Sequence, residues 1–284
     1  MAVRQIFPVT AGGGPAGPIG PVVHGGHGLA EIARLYSYPA PGALAGHPWV
    51  RANMVASVDG AATAQGRSGG LSGEADRQLF SVLRSLADVI LVGAGTARAE
   101  KYRPVRDTEA WPELRQGRPP TPPIAVVTAS LDLDTDGPLL ADAPRHARTI
   151  VLTTDAVPAD RRAAAARHAD VVVAGRSLLS PEAIVAALAE RGHRRILIEG
   201  GPHLLGQIAA AGLLDELCLT LSPLLAGGRG GRILATGAAG GTGAAGRTGA
   251  AAGDIPDARA GLSLAHVLQD NGFLLCRYLH REPG

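Results

Sequence analysis

Short runs of apolar residues, rich in Val and Ile, recur along the first two thirds of the chain. Six such runs stand at residues 49–57, 88–93, 123–128, 149–154, 170–174 and 194–200. A short run that is apolar almost throughout is typical of a strand covered on both faces, as in a parallel sheet. The pattern therefore predicts six buried strands.

Segments with helical spacing separate several of these runs. Residues 73–87 place leucines on one stripe, and Ser72 is a candidate N-cap for that helix. Residues 159–168 have a helical composition, and residues 181–192 begin with Pro and end with Gly, as helices commonly do. Alternation of strands and helices predicts an α/β fold with a mostly parallel, twisted sheet flanked by helices.

The pattern changes towards the end of the chain. Residues 215–228, 261–271 and 272–281 resemble strands that no helix separates. Asp270-Asn271-Gly272 carries the turn residues of a tight hairpin. We therefore expect an antiparallel C-terminal hairpin at the edge of the parallel sheet.

Two Gly-rich regions interrupt this organisation. Residues 8–28 are rich in Gly and Pro and predict a mobile arm, followed by a possible short helix at 29–39. Residues 237–253 are a low-complexity tract of Gly, Ala and Thr, which predicts a flexible insert. The expected organisation is an N-terminal extension at 1–47 and a single domain at 48–284 that contains the insert.

Composition excludes several classes of protein. The formal net charge is +2 and no cluster of basic residues would follow a phosphate backbone, so nucleic acid is not an expected partner. No apolar run approaches the 18 or more residues of a membrane span. Two widely separated cysteines form neither a disulfide framework nor a zinc motif, so a cytoplasmic protein without a metal is expected.

Two strands end in glycine-rich junctions. One runs into Gly200-Gly201-Pro202 and another into Gly93-Ala94-Gly95-Thr96, and in each case a helix follows. Glycines let a phosphate approach the backbone, and a helix start offers free N–H groups to it. The alternative is a pair of tight turns, but two such junctions in one sheet favour binding of a diphosphate.

Two carboxylates follow predicted strands where ligands bind in such sheets. Asp59 and Glu199 are candidate catalytic groups, since a carboxyl near apolar walls can have a raised pKa and transfer a proton. Asp59 is equally well explained as a turn former, whereas Glu199 after an apolar strand needs a partner. Asn53 within a strand is either a core amide or a ligand-binding group.

The ordered set of motifs resembles the pyrimidine reductase domain of riboflavin biosynthesis. The motifs are S-x-D-G at 57–60, L-R-x-x-A-D-x-I-L-x-G-x-x-T at 83–96 and E-G-G-P-x-L at 199–204. The resemblance covers about residues 48–228 and, more loosely, the final strands. It implies a dihydrofolate-reductase-like fold, a homodimer, and NADPH-dependent reduction of 5-amino-6-(5-phosphoribosylamino)uracil to its ribitylamino product.

The resemblance also assigns site residues. It implies that Ser68, Arg84 and Glu199 face the substrate. Asn53, singled out from its place in the strand, is a further candidate for that side. The residues implied to bind NADPH are Val55, Gly93, Gly95, Thr96, Glu100, Gly200, Gly201, Pro202, His203, Leu204, Leu205, Gly206 and Gln207, and Thr128 is a candidate for its 2′-phosphate.

The chain departs from the family pattern in several places. Ala61 replaces a common basic residue, and Gly70 replaces a common aromatic residue. The H-x-E and P-C-x-x-C motifs of the family's deaminase half are missing, so neither deamination nor zinc is expected. Reduction of a related pterin such as dihydrofolate, or NADPH binding without catalysis, are the alternative functions.

Overall fold

The computed structural model describes residues 4–7, 26–44, 46–228, 230–235 and 261–280. The strands are β1 (Arg4–Phe7), β2 (Trp49–Ser57), β3 (Val89–Gly93), β4 (Ile124–Val127), β5 (Ile150–Thr153), β6 (Asp170–Val173), β7 (Arg195–Ile198), β8 (Glu216–Ser222), β9 (Leu262–Asp270) and β10 (Phe273–His280). The α-helices are α1 (Gly26–Leu35), α2 (Glu74–Leu86), α3 (Ala94–Ala99), α4 (Pro112–Arg115), α5 (Pro138–Ala141), α6 (Ala159–Ala166), α7 (Pro181–Glu190) and α8 (Pro202–Ala210). The predicted insert at 237–253 and most of the predicted arm at 8–28 lie outside the described residues.

One sheet contains all the described strands, in the order β1-β9-β10-β8-β2-β7-β3-β4-β5-β6. From β8 to β6 neighbouring strands run parallel, whereas β10 pairs antiparallel with β8 and with β9. The six strands, the antiparallel hairpin and the α/β class are therefore confirmed. The prediction of burial was wrong for β6, the last strand of the sheet, where Val173 is 48% exposed. The pairing of β1 with β9 was not anticipated, and it adds a strand from the N-terminal extension to the sheet edge.

Apolar layers cover both faces of the sheet. On one face α1 and α2 pack against side chains such as Ile90, Leu197 and Leu275. On the other face α7 and α8 pack against the alternate side chains of the same strands, such as Leu91 and Ile198. Strands buried on both sides need apolar residues at every position, which is why the central runs are continuous rather than alternating.

Buried arginines hold the carboxyl end of α1. Arg51 donates from Nη2 to the Tyr36 carbonyl at 2.7 Å, and Arg277 donates from Nη1 to the Leu35 carbonyl at 2.6 Å. Both arginines pair with Glu216, at 2.9 and 2.7 Å. These cations satisfy carbonyls that have no partner within the helix. The predicted short helix of the extension is thus confirmed, and it is anchored to the sheet.

Two local predictions have different outcomes. At the hairpin, Asn271 has φ 46° and Gly272 has φ 85°, as the turn residues predicted. The N-cap prediction for Ser72 was wrong. The N-cap is Gly73, and the Ser72 hydroxyl donates to Asp76 Oδ2 at 2.5 Å instead.

Within the described residues, no helix is long and apolar enough to span a bilayer.

Candidate active site

Four strand ends converge at one edge of the sheet. β2 lies beside β7, β7 beside β3, and β3 beside β4, all parallel. Their carboxyl ends therefore bring Glu199, Gly93 and Thr128 to the same edge, with Asp59 in the loop after β2. This is the edge at which ligands bind in open α/β sheets.

The two glycine junctions touch each other. The Gly93 amide donates to the Gly200 carbonyl at 3.0 Å. Gly200 has φ 116°, a region that residues with a side chain rarely adopt. A Cβ atom on Gly201 would collide with the hydroxyl of Thr96. Both glycines are therefore required by backbone conformation and by close approach.

Helix α8 begins directly after this contact. Gly201 is its N-cap and Pro202 its first residue, and the described residues supply no side-chain cap. Helix α3 starts in the same way behind Gly93, again without a side-chain cap in the described part of the chain. Uncapped helix starts present N–H groups and a partial positive charge, which favour an anion. The predicted diphosphate-binding residues therefore have suitable backbone geometry.

The residues after Gly201 differ in what they can offer a ligand. Leu204 and Leu205 are buried in the apolar layer under α8, so they can contribute backbone groups only. His203 is exposed. Gly206 packs against the main chain of Ala235, whose amide donates to the Pro202 carbonyl at 3.1 Å.

A buried ion pair lies beside the glycine junction. Arg84 donates to both oxygens of Glu199, from Nε to Oε1 and from Nη2 to Oε2, each at 2.7 Å. The side chains are 12% and 1% exposed. The partner expected for the charge of Glu199 is thus Arg84, 115 residues away in the chain.

Tyr102 completes this cluster. Its hydroxyl donates to Glu199 Oε2 at 2.9 Å, and the guanidinium of Arg84 lies 4.1 Å from the centre of the Phe80 ring. Burial and then the Glu199 charge raise the pKa of Tyr102 well above its usual value. Burial disfavours the charged form of Arg84, but Glu199 outweighs this effect and raises the pKa of Arg84.

These contacts define what Glu199 can do. Both of its oxygens accept hydrogen bonds from charged or hydroxyl donors, an arrangement that orients a carboxylate rather than a proton donor. Sequence reasoning missed Tyr102, which lies six residues after the motif at 83–96. No local signal shows that a tyrosine after α3 will reach the end of β7.

The expected raised pKa at a strand-end carboxyl is wrong for Asp59. This carboxylate accepts hydrogen bonds from the Ser57 hydroxyl at 2.5 Å and from the amides of Ala226 and Gly227 at 3.0 and 2.8 Å. These bonds, the Ser57 hydroxyl first, lower the pKa of Asp59 to about 2. Asp59 therefore ties the loop after β2 to the loop after β8.

Ser68 and Glu100 meet directly. The amide and hydroxyl of Ser68 donate to Glu100 Oε1 at 2.9 and 3.0 Å. Ser68, expected to face the substrate, is thus bonded directly to Glu100, expected to border the cofactor. It fixes the 58–72 loop onto the end of α3.

Asn53 and Thr128 occupy different settings. Asn53 is 9% exposed, and its Oδ1 has no hydrogen-bond partner among the described residues. An unpaired buried amide oxygen is unusual and is consistent with a ligand-binding group. The Thr128 hydroxyl accepts a hydrogen bond from the Asp132 amide at 3.2 Å, so it shapes the turn after β4. Val55 is half-buried on β2, beside Thr220 of β8.

The fold and the site together define an α/β protein of the kind that binds a ligand where its parallel strands end. A family model described as RibD C-terminal domain matches residues 48–241, more than half of the chain. The chain belongs to that family, and it is an oxidoreductase of riboflavin biosynthesis.

Three relatives show the extent of the similarity. Two are named 2,5-diamino-6-ribosylamino-4(3H)-pyrimidinone 5′-phosphate reductase. The one from Archaeoglobus fulgidus is 30% identical over 185 residues, 64% of this chain and 83% of its own length. The one from Methanothermobacter thermautotrophicus is 31% identical over 199 residues, 67% and 84%. The crystal structure of a pyrimidine reductase-like protein from Corynebacterium diphtheriae is 26% identical with TM-score 0.70, covering 89% of this chain and 99% of that one.

Proposed function

We propose that the chain uses NADPH to reduce 5-amino-6-(5-phosphoribosylamino)uracil to its ribitylamino product. The observation that carries this proposal is the buried Arg84–Glu199–Tyr102 cluster, directly beside the glycine junction of α8. The glycine junction suits the phosphates of a dinucleotide, and the Arg84–Glu199–Tyr102 cluster suits a polar substrate that accepts the hydride. Their adjacency is what hydride transfer between two bound molecules requires.

When bound, NADPH would supply the hydride for C1′ of the ring-opened, imine-like form of the substrate, and a proton would reach the imine nitrogen. The backbone N–H groups that start α8 and α3 would hold the diphosphate. Arg84 and Glu199 would orient the substrate, because a guanidinium directs its donors in a fixed plane. Asn53 and Ser68 would complete the substrate side, and Val55, Thr96, Glu100 and Thr128 would border the cofactor.

The 2,5-diaminopyrimidinone named for the two archaeal relatives is the second candidate substrate. It carries an amino group where the uracil carries a carbonyl oxygen. Both relatives match this chain over more than four fifths of their own length. A turnover assay should therefore offer both pyrimidines, with dihydrofolate as a third acceptor, and follow loss of NADPH or NADH absorbance.

Gly201→Val tests the cofactor site independently of the substrate. The added side chain would occupy space taken by Thr96 and by a diphosphate, so we expect at least tenfold weaker NADPH binding in a folded variant. Gly69→Ala is the matched control, because a Cβ there meets nothing within 4 Å. Wild-type affinity in folded Gly201→Val would contradict the proposed cofactor site.

Two further expectations belong to this proposal. A homodimer is proposed by analogy with the family, and light scattering of the full chain at several concentrations tests it. A cytoplasmic location is consistent with two free, buried cysteines.

A further inference from the structure

A cavity lies at the end of the sheet opposite the candidate active site. It has a volume of about 380 Å³ and is formed where β4, β5 and β6 begin and where α7 ends. Its charged and polar lining consists of Arg145, His146, Arg148, Asp170, Arg191 and His193. The strands begin at the opposite end of the sheet from the carboxyl ends that form the candidate active site, and the cavity lining shares no residue with that site.

The charges around this cavity do not balance. Asp170 accepts hydrogen bonds from Arg148 Nε at 3.1 Å and from Arg191 Nη2 at 3.2 Å. Three arginines thus face one carboxylate, which leaves an excess of two positive charges with both histidines neutral. The side chains of Arg145 and His193 have no hydrogen-bond or ion-pair partner in the described part of the chain.

One of the arginines has a structural role. Arg148 donates from Nη2 to the carbonyls of Ala166 and Ala169, at 3.2 and 3.1 Å, and so caps the carboxyl end of α6. Capping explains Arg148 but not Arg145, Arg191 and His193. Those three side chains keep donors directed at solvent or at the cavity.

Burial is the main influence on the pKa of His193. Its imidazole is half-buried. Burial lowers the pKa of His193, Arg191 lowers it further, and Asp88 opposes both. A bound anion would favour the protonated imidazole, so anion affinity and His193 protonation are linked.

We propose that this cavity binds a small phosphate-bearing anion through Arg145, Arg191 and His193. Guanidinium groups offer planar pairs of donors that match the oxygens of a phosphate group. The cavity volume lies within the range of small-molecule sites. The site would be occupied independently of substrate and cofactor.

Calorimetric titration of the full chain with inorganic sulfate tests this proposal. Sulfate presents the same tetrahedral oxygens, and its charge is constant between pH 6 and 8. NADP⁺ is held in excess to block the cofactor groove, and chloride is adjusted to keep the ionic strength constant. We expect one site, with at least fivefold weaker binding in Arg145→Ala and in Arg191→Ala. Arg34→Ala is the matched control, since its side chain is 72% exposed and lies on α1.

The pH dependence provides a second measurement. Wild-type affinity for sulfate should rise at least twofold from pH 8 to pH 6, and His193→Asn should remove that rise. Titration with inorganic diphosphate should give tighter binding with the same dependence on Arg145 and Arg191. Sulfate binding that survives both arginine substitutions, or no binding at all, would overturn the proposal.

Discussion

The hydroxyl of Tyr102 gives the sharpest test of the reaction site. Tyr102→Phe removes a single oxygen atom and keeps the aromatic ring, which lies 5.7 Å from the Arg84 guanidinium. The hydroxyl makes a 2.9 Å hydrogen bond to Glu199 in a partly buried position. The substitution therefore changes the orientation of Glu199 without opening a cavity.

The expected size of the effect follows from the hydrogen bonds that remain. A hydrogen bond to a charged group contributes about 1.5–3 kcal/mol. Glu199 keeps both bonds to Arg84, so the lower end of this range applies, and about 1.4 kcal/mol corresponds to a factor of ten. We expect kcat/KM for the pyrimidine substrate to fall about tenfold, mainly through KM, with NADPH affinity unchanged.

Tyr38→Phe is the matched control. The Tyr38 hydroxyl is also buried, but among the described residues it has no hydrogen-bond partner. Both variants should unfold within a few degrees of the wild type. Steady-state kinetics with each pyrimidine, together with fluorescence titration of NADPH, separates the two effects. If Tyr102→Phe and Tyr38→Phe have the same kcat/KM, Tyr102 has no part in orienting Glu199.

Three other predictions concern charged groups. Asp59→Asn should lower kcat/KM by less than tenfold and leave its pH profile unchanged, because the remaining side-chain oxygen can still accept from the Ser57 hydroxyl and the Ala226 amide, although the bond from the Gly227 amide is lost; a hundredfold loss with an altered profile would restore Asp59 as a proton donor. Glu216→Gln should destabilise the fold by about 3–5 kcal/mol in urea unfolding, because it leaves Arg51 buried with an unpaired charge, and a loss below 1 kcal/mol would contradict this. Burial and Arg277 lower the pKa of His266 from 6.5 to about 4, so the unfolded chain binds the proton first and stability should fall as pH drops from 6.5 to 4. The loss is roughly 3 kcal/mol at most, and His266→Phe should reduce it; an unchanged acid slope would refute the assignment.

The central sheet was predictable because its signals are local. Each strand buried on both faces must be apolar along its whole length, so residues 49–57 and 194–200 are recognisable in isolation. The glycine junctions are also local, since Gly200 needs its positive φ whatever the neighbouring strand. By contrast β1 has only four residues, and its pairing with β9 spans almost the whole chain.

The site was predictable in its members but not in its contacts. Glu199 after an apolar strand demanded a partner, yet nothing in the sequence selects Arg84 from 27 basic residues. For Asp59 the sequence suggested a plausible chemical role that the contacts do not support. A carboxylate in an S-x-D-G loop was a reasonable proton donor until its acceptor bonds to Ala226 and Gly227 were seen. Such bonds depend on how two loops meet, which is a tertiary property.

Helix α3 links the two halves of the proposed site. Thr96 in its first turn lies against Gly201, Glu100 at its end holds Ser68, and Tyr102 two residues later holds Glu199. Six residues of helix therefore connect the dinucleotide junction with both groups expected to face the substrate. A hydride moves only when donor and acceptor are held close together. Because both sets of contacts lie on or directly after one short helix, the helix itself sets the distance between them, and the surrounding loops do not. A substitution that displaces α3 should consequently weaken cofactor and substrate binding together, whereas Tyr102→Phe should weaken only the latter.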